Sequence, residues 1–232
     1  MKGKTLSLSL FLALLLALGC GSALAKDKTE ADLTLKEAAL VLERIMTQGD
    51  NSIPTDLLRR AKAVAIFPGM FKAGFIVGGT YGTGIVCVRN PEGGFSAPAF
   101  YDMGGASVGF QIGGESVDLV LVVMKQRGLD GLMKNQVKFG ADVAVAAGPV
   151  GRRGEAAVSG ASPHADIYSY SLAKGLFAGV SLEGTGMGFD AETNQNYYGG
   201  KPSASSVLLE GQVAPTTPAA RNVMQTLDRL AK

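Results

Sequence analysis

The sequence contains few of the residues on which most enzymes and metal sites depend. Its 232 residues include one histidine, two cysteines and no tryptophan. A Ser-His-Asp or Cys-His hydrolase would have to use His164, which lies in a Ser-Pro-His-Ala-Asp stretch typical of a surface turn. A zinc site needs several Cys or His ligands, which this chain does not offer. We therefore expect a non-enzymatic protein with no catalytic residue, no metal and no cofactor.

Cysteine is also too scarce for an internal disulfide. Cys20 lies in a leader-like segment, which leaves Cys87 alone in the rest of the chain. Cys87 lies within the apolar run Gly84-Ile85-Val86-Cys87-Val88, so we expect a small side chain buried in a strand. A reactive thiol is the alternative interpretation, although the sequence shows no positive cluster beside it.

An excess of either charge is missing as well. The chain has 22 Lys and Arg against 20 Asp and Glu, and both surplus lysines lie within residues 1–25. Without that segment the two counts are equal, so the protein has no global basic field of the kind that nucleic-acid binding requires. Any anion binding must therefore be local, and we expect no nucleic-acid partner.

The N-terminus has the pattern of a signal peptide. A short basic start precedes an uncharged apolar run at residues 6–18, which is shorter than the roughly 18 residues that a membrane-spanning helix needs. Ala23-Leu24-Ala25 then matches a cleavage site. We predict a signal peptide at residues 1–25 and export to the periplasm or cell envelope. Alternatively, Ala17-Leu18-Gly19-Cys20 resembles a lipoprotein box, and lipidation at Cys20 would tether the chain to a membrane.

Helical periodicity is confined to short segments. Thr34 and Glu37 match a capping box before an amphipathic helix at residues 34–47. Pro54 is predicted to open a second helix that runs from Thr55 to about residue 63. A short helix is expected at residues 128–138, and a C-terminal helix begins at Thr217 with Pro218 in its first turn. Residues 200–216 have the composition of a linker.

Glycine is abundant, with 32 residues, many of them in doublets between short apolar runs. This pattern predicts short strands separated by tight turns, including a glycine-rich bend at residues 78–82 and a turn at residues 90–94. A run at residues 117–124 should be buried on both faces. The remaining strands are expected at residues 64–67, 73–77, 84–88, 95–101, 106–113, 140–147, 155–161, 165–172, 176–183 and 196–199, and residues 190–196 as a hairpin turn.

The predicted fold class is α+β. A mainly antiparallel sheet, sandwich or barrel-like, would carry two N-terminal helices, a short mid-chain helix and a C-terminal helix. The predicted organisation is a signal peptide at residues 1–25, one domain at residues 26–200, and a linker with the terminal helix at residues 201–232.

Basic residues cluster beside apolar ones near the second helix. Arg59, Arg60 and Lys62 are followed by Phe71 and Lys72, a combination that suits an anionic membrane surface. The alternative is an ordinary amphipathic helix with solvated charges. A second candidate is the turn at residues 148–154, where Arg152 and Arg153 could hold a phosphate headgroup or could stand in solvent at a hairpin tip. The predicted lipid-binding residues are Arg59, Arg60, Lys62, Phe71, Lys72, Arg152 and Arg153.

Two motifs follow each other in the middle of the chain, Ser96-Ala97-Pro98-Ala99-Phe100 and Gly109-Phe110-Gln111-Ile112-Gly113. They resemble the central motif of the SYLF domain, a lipid-binding family that commonly has Trp where this chain has Phe95. Further matching pieces are Ile53-Pro54, residues 61–68, Gly148-Pro149-Val150-Gly151-Arg152, Tyr170-Ser171, residues 174–179 and Asn196-Tyr197-Tyr198-Gly199. The chain therefore resembles a bacterial, exported member related to the yeast actin-patch SYLF proteins.

The resemblance implies binding of phospholipids, including phosphoinositides in eukaryotic members, some of which also bind actin. It places a lipid-facing surface near the N-terminal helices, at residues 35–46 and 59–72, and supplies no active-site residues. We expect anionic phospholipid membranes as the partner and no actin partner for an exported protein. The alternative is a structural protein of the envelope that assembles through Gly-rich strand edges.

Overall fold

A computed structural model describes residues 28–49, 52–134, 136–148, 165–173, 176–177, 182 and 184–232. The predicted signal peptide at residues 1–25 with Cys20, the residues Arg152 and Arg153, and His164 lie outside these ranges, and so does the predicted strand at residues 155–161. The described helices are α1 (Lys28–Met46), α2 (Thr55–Arg60), α3 (Gln126–Leu132), α4 (Ala191–Tyr198), α5 (Ala204–Leu208) and α6 (Pro218–Leu230). The described strands are β1 (Ala63–Val88), β2 (Ala99–Val123), β3 (Gln136–Lys138), β4 (Val145–Ala147), β5 (Ile167–Ala173), β6 (Leu176–Phe177) and β7 (Thr185–Phe189).

A long two-stranded ribbon forms the centre of the fold. β1 and β2 pair antiparallel from Ala63 opposite Val123 to Val86 opposite Ala99. The division into short strands and the glycine-rich bend predicted at residues 78–82 are therefore wrong. Glycines from both strands meet inside the ribbon, for example at the pair formed by Gly74 and Gly113. Because glycine has no Cβ, these segments can coil strongly without leaving the ladder.

The ribbon curls back on itself into a half-barrel. The N–H of Arg89 donates to the carbonyl of Lys62 over 2.8 Å, which joins the two ends of β1. A Cβ on Gly84 would lie 2.3 Å from the carbonyl oxygen of Ile66, so the two halves of the strand are in direct contact. The turn predicted at residues 90–94 is confirmed, with Gly94 at a φ of 74°.

The other edge of β2 carries two further strands. β7 pairs with its first part and β5 with its last part, both antiparallel. The sheet order is β3-β7-β2-β5-β4, with β1 on β2 and β6 on β5, and the β4–β5 pair is parallel. The predicted α+β class with a mainly antiparallel, barrel-like sheet is confirmed.

The sheet is covered on both faces. Val120 and Val122 belong to an outer core with α1, α2 and α6, whereas Leu119 and Leu121 belong to an inner core with α3 and α5. The prediction that residues 117–124 are buried on both faces is thereby confirmed for residues 119–123. Successive residues of β2 point to opposite faces of the sheet, and each face packs against its own set of helices. Both faces of this part of the strand must therefore be apolar.

The first helix begins earlier than predicted. α1 starts at Lys28, and Thr34 lies inside it with its hydroxyl donating to the carbonyl of Glu30. The predicted capping box is therefore wrong. Ala31 and Leu35 are buried in the outer core. Tertiary packing therefore stabilises the start of α1, residues 28–33, which the sequence pattern did not predict to be helical. α2 ends at Arg60, three residues before the predicted end.

The segment predicted as a hairpin turn and a strand at residues 190–199 is a helix. Asp190 caps α4, because its carboxylate accepts from the N–H of Thr193 over 3.0 Å and from the Thr193 hydroxyl over 2.6 Å. The mid-chain helix is also shorter than predicted and ends at Leu132, after which β3 begins at Gln136.

The C-terminal helix is confirmed. Thr217 caps α6 and Pro218 occupies its first turn. Val223 and Leu227 are fully buried in the outer core with α1, and Arg229 pairs with Glu43 of that helix over 2.7 Å. Within the expected linker, α5 is docked by Val207 and Leu208. None of the helices that the structure describes has the length and apolar character to cross a bilayer.

Candidate functional site

The basic cluster on α2 shares one carboxylate. Arg59 donates to one oxygen of Asp56, and Nε of Arg60 lies 3.2 Å from the other. The hydrogen bond from Arg59 is the main cause that lowers the pKa of Asp56 below its usual value. Because Asp56 precedes its partners by three and four residues, the pairing follows directly from helical spacing. Asp56 is therefore an anion at the centre of the predicted basic cluster, which includes both arginines but not their shared carboxylate.

The apolar side of α2 does not face solvent. Leu57 and Leu58 are fully buried in the outer core, so for this helix the ordinary amphipathic arrangement holds. Lys62 is exposed, and its backbone N–H donates to the carbonyl of Val123 over 2.8 Å. The cations of α2 therefore stand at the surface beside a helix whose leucines belong to the core.

Arg89 fastens α2 to the turn at residues 90–94. Its Nε donates to the carbonyl of Ala61 and its Nη2 to that of Leu58, both over 2.9 Å. The guanidinium stacks 4.4 Å from the centre of the Phe95 ring, which is itself buried. This contact gives the Phe95 ring a defined packing role at the base of the turn.

An apolar patch is exposed where β1 has a bulge. The register shifts between Phe67 and Met70, and Gly69 adopts a φ of 55°. The N–H of Gly69 donates to Asp118 over 2.9 Å, and Arg44 of α1 contacts the same carboxylate at 2.8 Å. Two residues beyond the bulge, Phe71 is 57% exposed.

Leu40 extends this patch onto α1. It is 56% exposed and, with Pro68 and Gly69, lines a groove of about 430 Å³. We call Leu40, Pro68, Gly69 and Phe71 the bulge patch. Lys72 is half-buried next to it, opposite Glu115 in the register.

Phe71 and Lys72 are among the predicted lipid-binding residues, whereas Leu40 is not. The sequence does contain a pattern that groups Leu40 with polar positions of α1. At spacings of three and four, one stripe of the helix carries Leu33, Glu37, Leu40 and Arg44. Leu35, Leu42 and Ile45, on the stripe taken as the apolar face, are fully buried. The surface implied at residues 35–46 therefore presents its opposite stripe to solvent.

The turn proposed as a phosphate site is described only at its first residue. The N–H of Gly148 donates to the carbonyl of Ser169 over 2.9 Å. A Cβ there would lie 2.1 Å from Cζ of Tyr170, so this glycine is required by close packing. The role of Arg152 and Arg153 stays a prediction.

The thiol of the one described cysteine has no access to solvent. Cys87 is buried and free, as predicted, and burial raises the pKa of its thiol. A Gly-x-Ser-x-Gly pattern does occur at residues 105–109, but it lies inside β2 and not at a strand-to-helix elbow. Within the described part of the chain, no three His, Cys, Asp or Glu side chains are grouped as metal ligands.

Comparison with known proteins gives a consistent family. The model for the family described as "Ysc84: Las17-binding protein actin regulator" matches residues 104–230. LAS seventeen-binding protein 3 of Saccharomyces cerevisiae is 38% identical over 184 residues, which cover 78% of this chain and 39% of the relative. SH3 domain-containing YSC84-like protein 1 is 35% identical in Xenopus laevis, over 89% of this chain and 61% of the relative. The human protein of that name is 36% identical, over 76% and 51%.

The chain thus spans between about two fifths and three fifths of the length of these relatives. No solved structure gives a significant match. The family match begins inside β2 and runs through α6, so it includes the strands β3, β5 and β7, the buried Asn194 and the terminal helix. On this match and these identities, the chain belongs to the Ysc84 family, the SYLF-domain family that its motifs resemble.

Proposed function

We propose that this protein is a non-enzymatic, exported module that binds anionic phospholipid membranes through the bulge patch and the cations on and directly after α2. The observation that carries the proposal is the exposure of two large apolar side chains, Leu40 and Phe71, beside a groove on a folded body. Exposed apolar residues rimmed by charge are typical of interaction surfaces. The leader-like pattern of residues 1–25 supports a place in the periplasm or cell envelope.

Positive charge is concentrated on α2 and not at the bulge patch. The groove is lined by Glu37, Arg44 and Asp118, and Lys72 stands opposite Glu115, so these charges do not favour an anion. On and directly after α2, Arg59, Arg60 and Lys62 exceed Asp56 by two units. Arg44 is held by Asp118, so its role is to fix α1 against the bulge and keep Leu40 in place. Apolar insertion then supplies affinity, and the cations supply the preference for anionic lipid.

Replacing both exposed apolar residues should weaken membrane binding strongly. Each side chain exposes more than half of its surface, so its burial in lipid contributes about 1 kcal/mol. The double variant Leu40→Ser with Phe71→Ser is expected to bind anionic vesicles about 30-fold more weakly. Flotation with phosphatidylglycerol vesicles and with phosphatidylcholine vesicles measures both the affinity and the lipid preference.

Leu209→Ser is the matched control for this experiment. Leu209 is 52% exposed and lies directly after α5, outside the bulge patch. It should leave flotation unchanged. If the protein stays at the bottom of the gradient with every vesicle, or if Leu209→Ser weakens binding as much as the double variant, the proposed function is wrong.

Asp56→Asn should strengthen binding to anionic vesicles. The substitution removes the one carboxylate that engages Arg59 and Arg60, and one added positive charge near an anionic leaflet corresponds to about fivefold tighter binding. Asp130→Asn on α3 removes an exposed carboxylate elsewhere and is the control. The gain should appear at low salt and shrink at high salt. An equal gain from both variants would show that α2 does not face the membrane.

The names of the relatives refer to Las17 binding and actin regulation, and this description applies to those proteins. For this chain we infer a lipid partner and no actin partner, because the leader-like segment directs it away from cytoskeletal proteins. Lipidation at Cys20 would place the bulge patch close to a membrane without changing the contact itself.

Assembly through strand edges is the second interpretation, and the long strand β1 is the edge that bears on it. In the described sheet β1 pairs with β2 alone, whereas the edge strand β3 has three residues and offers few free backbone groups. Size-exclusion chromatography over a range of concentrations separates the two interpretations. Oligomers that grow with concentration, without vesicle binding, would favour assembly.

A further inference from the structure

A second cavity lies on the outer face of the sheet, away from the bulge patch. Its volume is about 760 Å³, within the range of roughly 300–1,000 Å³ typical of ligand sites. The first turns of α1 lie beside Thr83 of β1. Tyr81, two residues before Thr83 in the same strand, lines the cavity. The cavity therefore begins where the helical cover of the sheet ends.

The register places the lining residues in two rows across four strands. One row runs from Tyr81 of β1 through Gly104 and Gly186 to Lys138 of β3. The next row on the same face contains Asp102 of β2, Gly188 of β7 and Gln136 of β3. The glycine backbone thus forms the floor of the cavity. The side chains around it are the aromatic ring of Tyr81, the carboxylate of Asp102, the amide of Gln136 and the ammonium group of Lys138.

At two positions of this floor, Gly104 and Gly186, the protein fold does not require glycine. A Cβ on Gly104 would have its nearest neighbours at 3.6 and 3.9 Å, and one on Gly186 at 3.5 and 3.8 Å, which are ordinary contacts. Gly105, on the opposite face, differs, because a Cβ there would lie 2.7 Å from Cα of Thr185. Strands generally favour side chains over glycine, so the two floor positions keep space open at some cost to strand stability.

We propose that this cavity binds a neutral oligosaccharide. One carboxylate and one ammonium line it, Asp102 and Lys138, so the described lining has no net charge to select an anion or a cation. Tyr81 is 55% exposed and offers a flat apolar face for the C–H side of a sugar ring, while the polar side chains suit its hydroxyl groups.

An acyl chain fits this cavity less well. The apolar side chains of Met103, Val137 and Met187 are buried in the inner core, on the other side of the sheet. A lipid tail would therefore contact peptide groups, and its burial would gain little. This inference is independent of the proposed membrane contact, since no residue lines both sites.

Isothermal titration with cellotetraose, maltotetraose and chitotetraose tests the proposal on the purified protein. At least one of these probes should bind, and Tyr81→Ala should weaken its binding about tenfold through loss of the ring contact. Gly104→Val should abolish binding because its side chain fills the floor. Gly79→Val is the matched control, since Gly79 lies in β1 outside the lining and a Cβ there meets one atom, at 3.9 Å.

Thermal melting of each variant verifies that it is folded. If Gly104→Val does not fold, Gly104→Ala and Tyr81→Ala still decide the matter, because both are compatible with the observed contacts. The proposal is overturned if no probe binds, if binding survives both substitutions, or if these variants lose vesicle flotation instead. Sugar binding that persists in the Leu40→Ser, Phe71→Ser variant separates this site from the membrane contact.

Discussion

Asn194→Ala is expected to lower the free energy of unfolding by about 3 kcal/mol, because it leaves a buried donor without a partner. Asn194 is fully buried in α4, and its Oδ1 accepts from the N–H of Phe100 over 3.0 Å. Its Nδ2 donates to the carbonyls of Phe100 and Asp190 over 2.8 and 2.7 Å. One amide thus joins α4 to the start of β2.

Urea denaturation followed by circular dichroism measures this loss. Gln195→Ala is the control, because Gln195 is the next residue of the same helix and is exposed. Its effect should stay within about 0.5 kcal/mol, as for most surface substitutions. A similar small loss for Asn194→Ala would mean that α4 is held by its packing alone.

Gly84→Ala is expected to destabilise the half-barrel by about 3 kcal/mol, since the methyl group has no room. Its Cβ would lie 2.3 Å from the carbonyl oxygen of Ile66 and 2.5 Å from the ring of Phe67. A backbone carbonyl cannot rotate away as a flexible side chain can. The two halves of the ribbon would have to separate, which also disturbs the contact between Lys62 and Arg89.

Gly79→Ala in the same strand is the matched control. Its Cβ would meet one atom, the carbonyl oxygen of Gly105, at 3.9 Å, so its effect on stability should be small. Chemical denaturation of both variants gives the comparison. Equal stability of the two would contradict the close approach that curls the ribbon.

Asn194→Ala and Gly84→Ala each disturb a contact between residues far apart in the sequence, which local sequence patterns do not predict. Asn194 was interpreted as part of a hairpin turn because Asp190 and the polar residues after it are common in turns. In the structure Asp190 caps a helix, and Asn194 is inside because β2 needs a partner for Phe100. Asp and Asn serve turns and helix caps alike, so the surrounding fold decides between them.

The glycine doublets misled the strand assignment for a related reason. Gly78 and Gly79 have the composition of a bend, yet they pair with Ser107 and Ala106 inside the ribbon. Glycine allows both a turn and a strongly coiled strand, and only the partner strand selects one of them. The strand at residues 117–123, the turn at residues 90–94 and the capped α6 were predictable because each depends on local chemistry.

The candidate membrane surface shows the same division. Phe71 and Lys72 were predicted because basic and apolar residues are neighbours in the sequence. Leu40 belongs to the surface only because α1 packs against the bulge of β1, which the sequence does not indicate. Arg59 and Arg60 were identified as cations, but their shared partner Asp56 reduces the charge that they present. Arg152 and Arg153 lie outside the described residues and keep their predicted role.

The amino-acid sequence by itself determined the family, the α+β class, the scarcity of catalytic side chains and the helix that closes the chain. Each of these depends on residue identity or on spacing within one segment. Tertiary structure alone decided that β1 folds back on itself, that Leu40 of α1 lies beside the bulge of β1, and that glycines from two strands, β2 and β7, leave an open cavity. These features arise from contacts between residues far apart in the chain, where the energy of packing outweighs local preference.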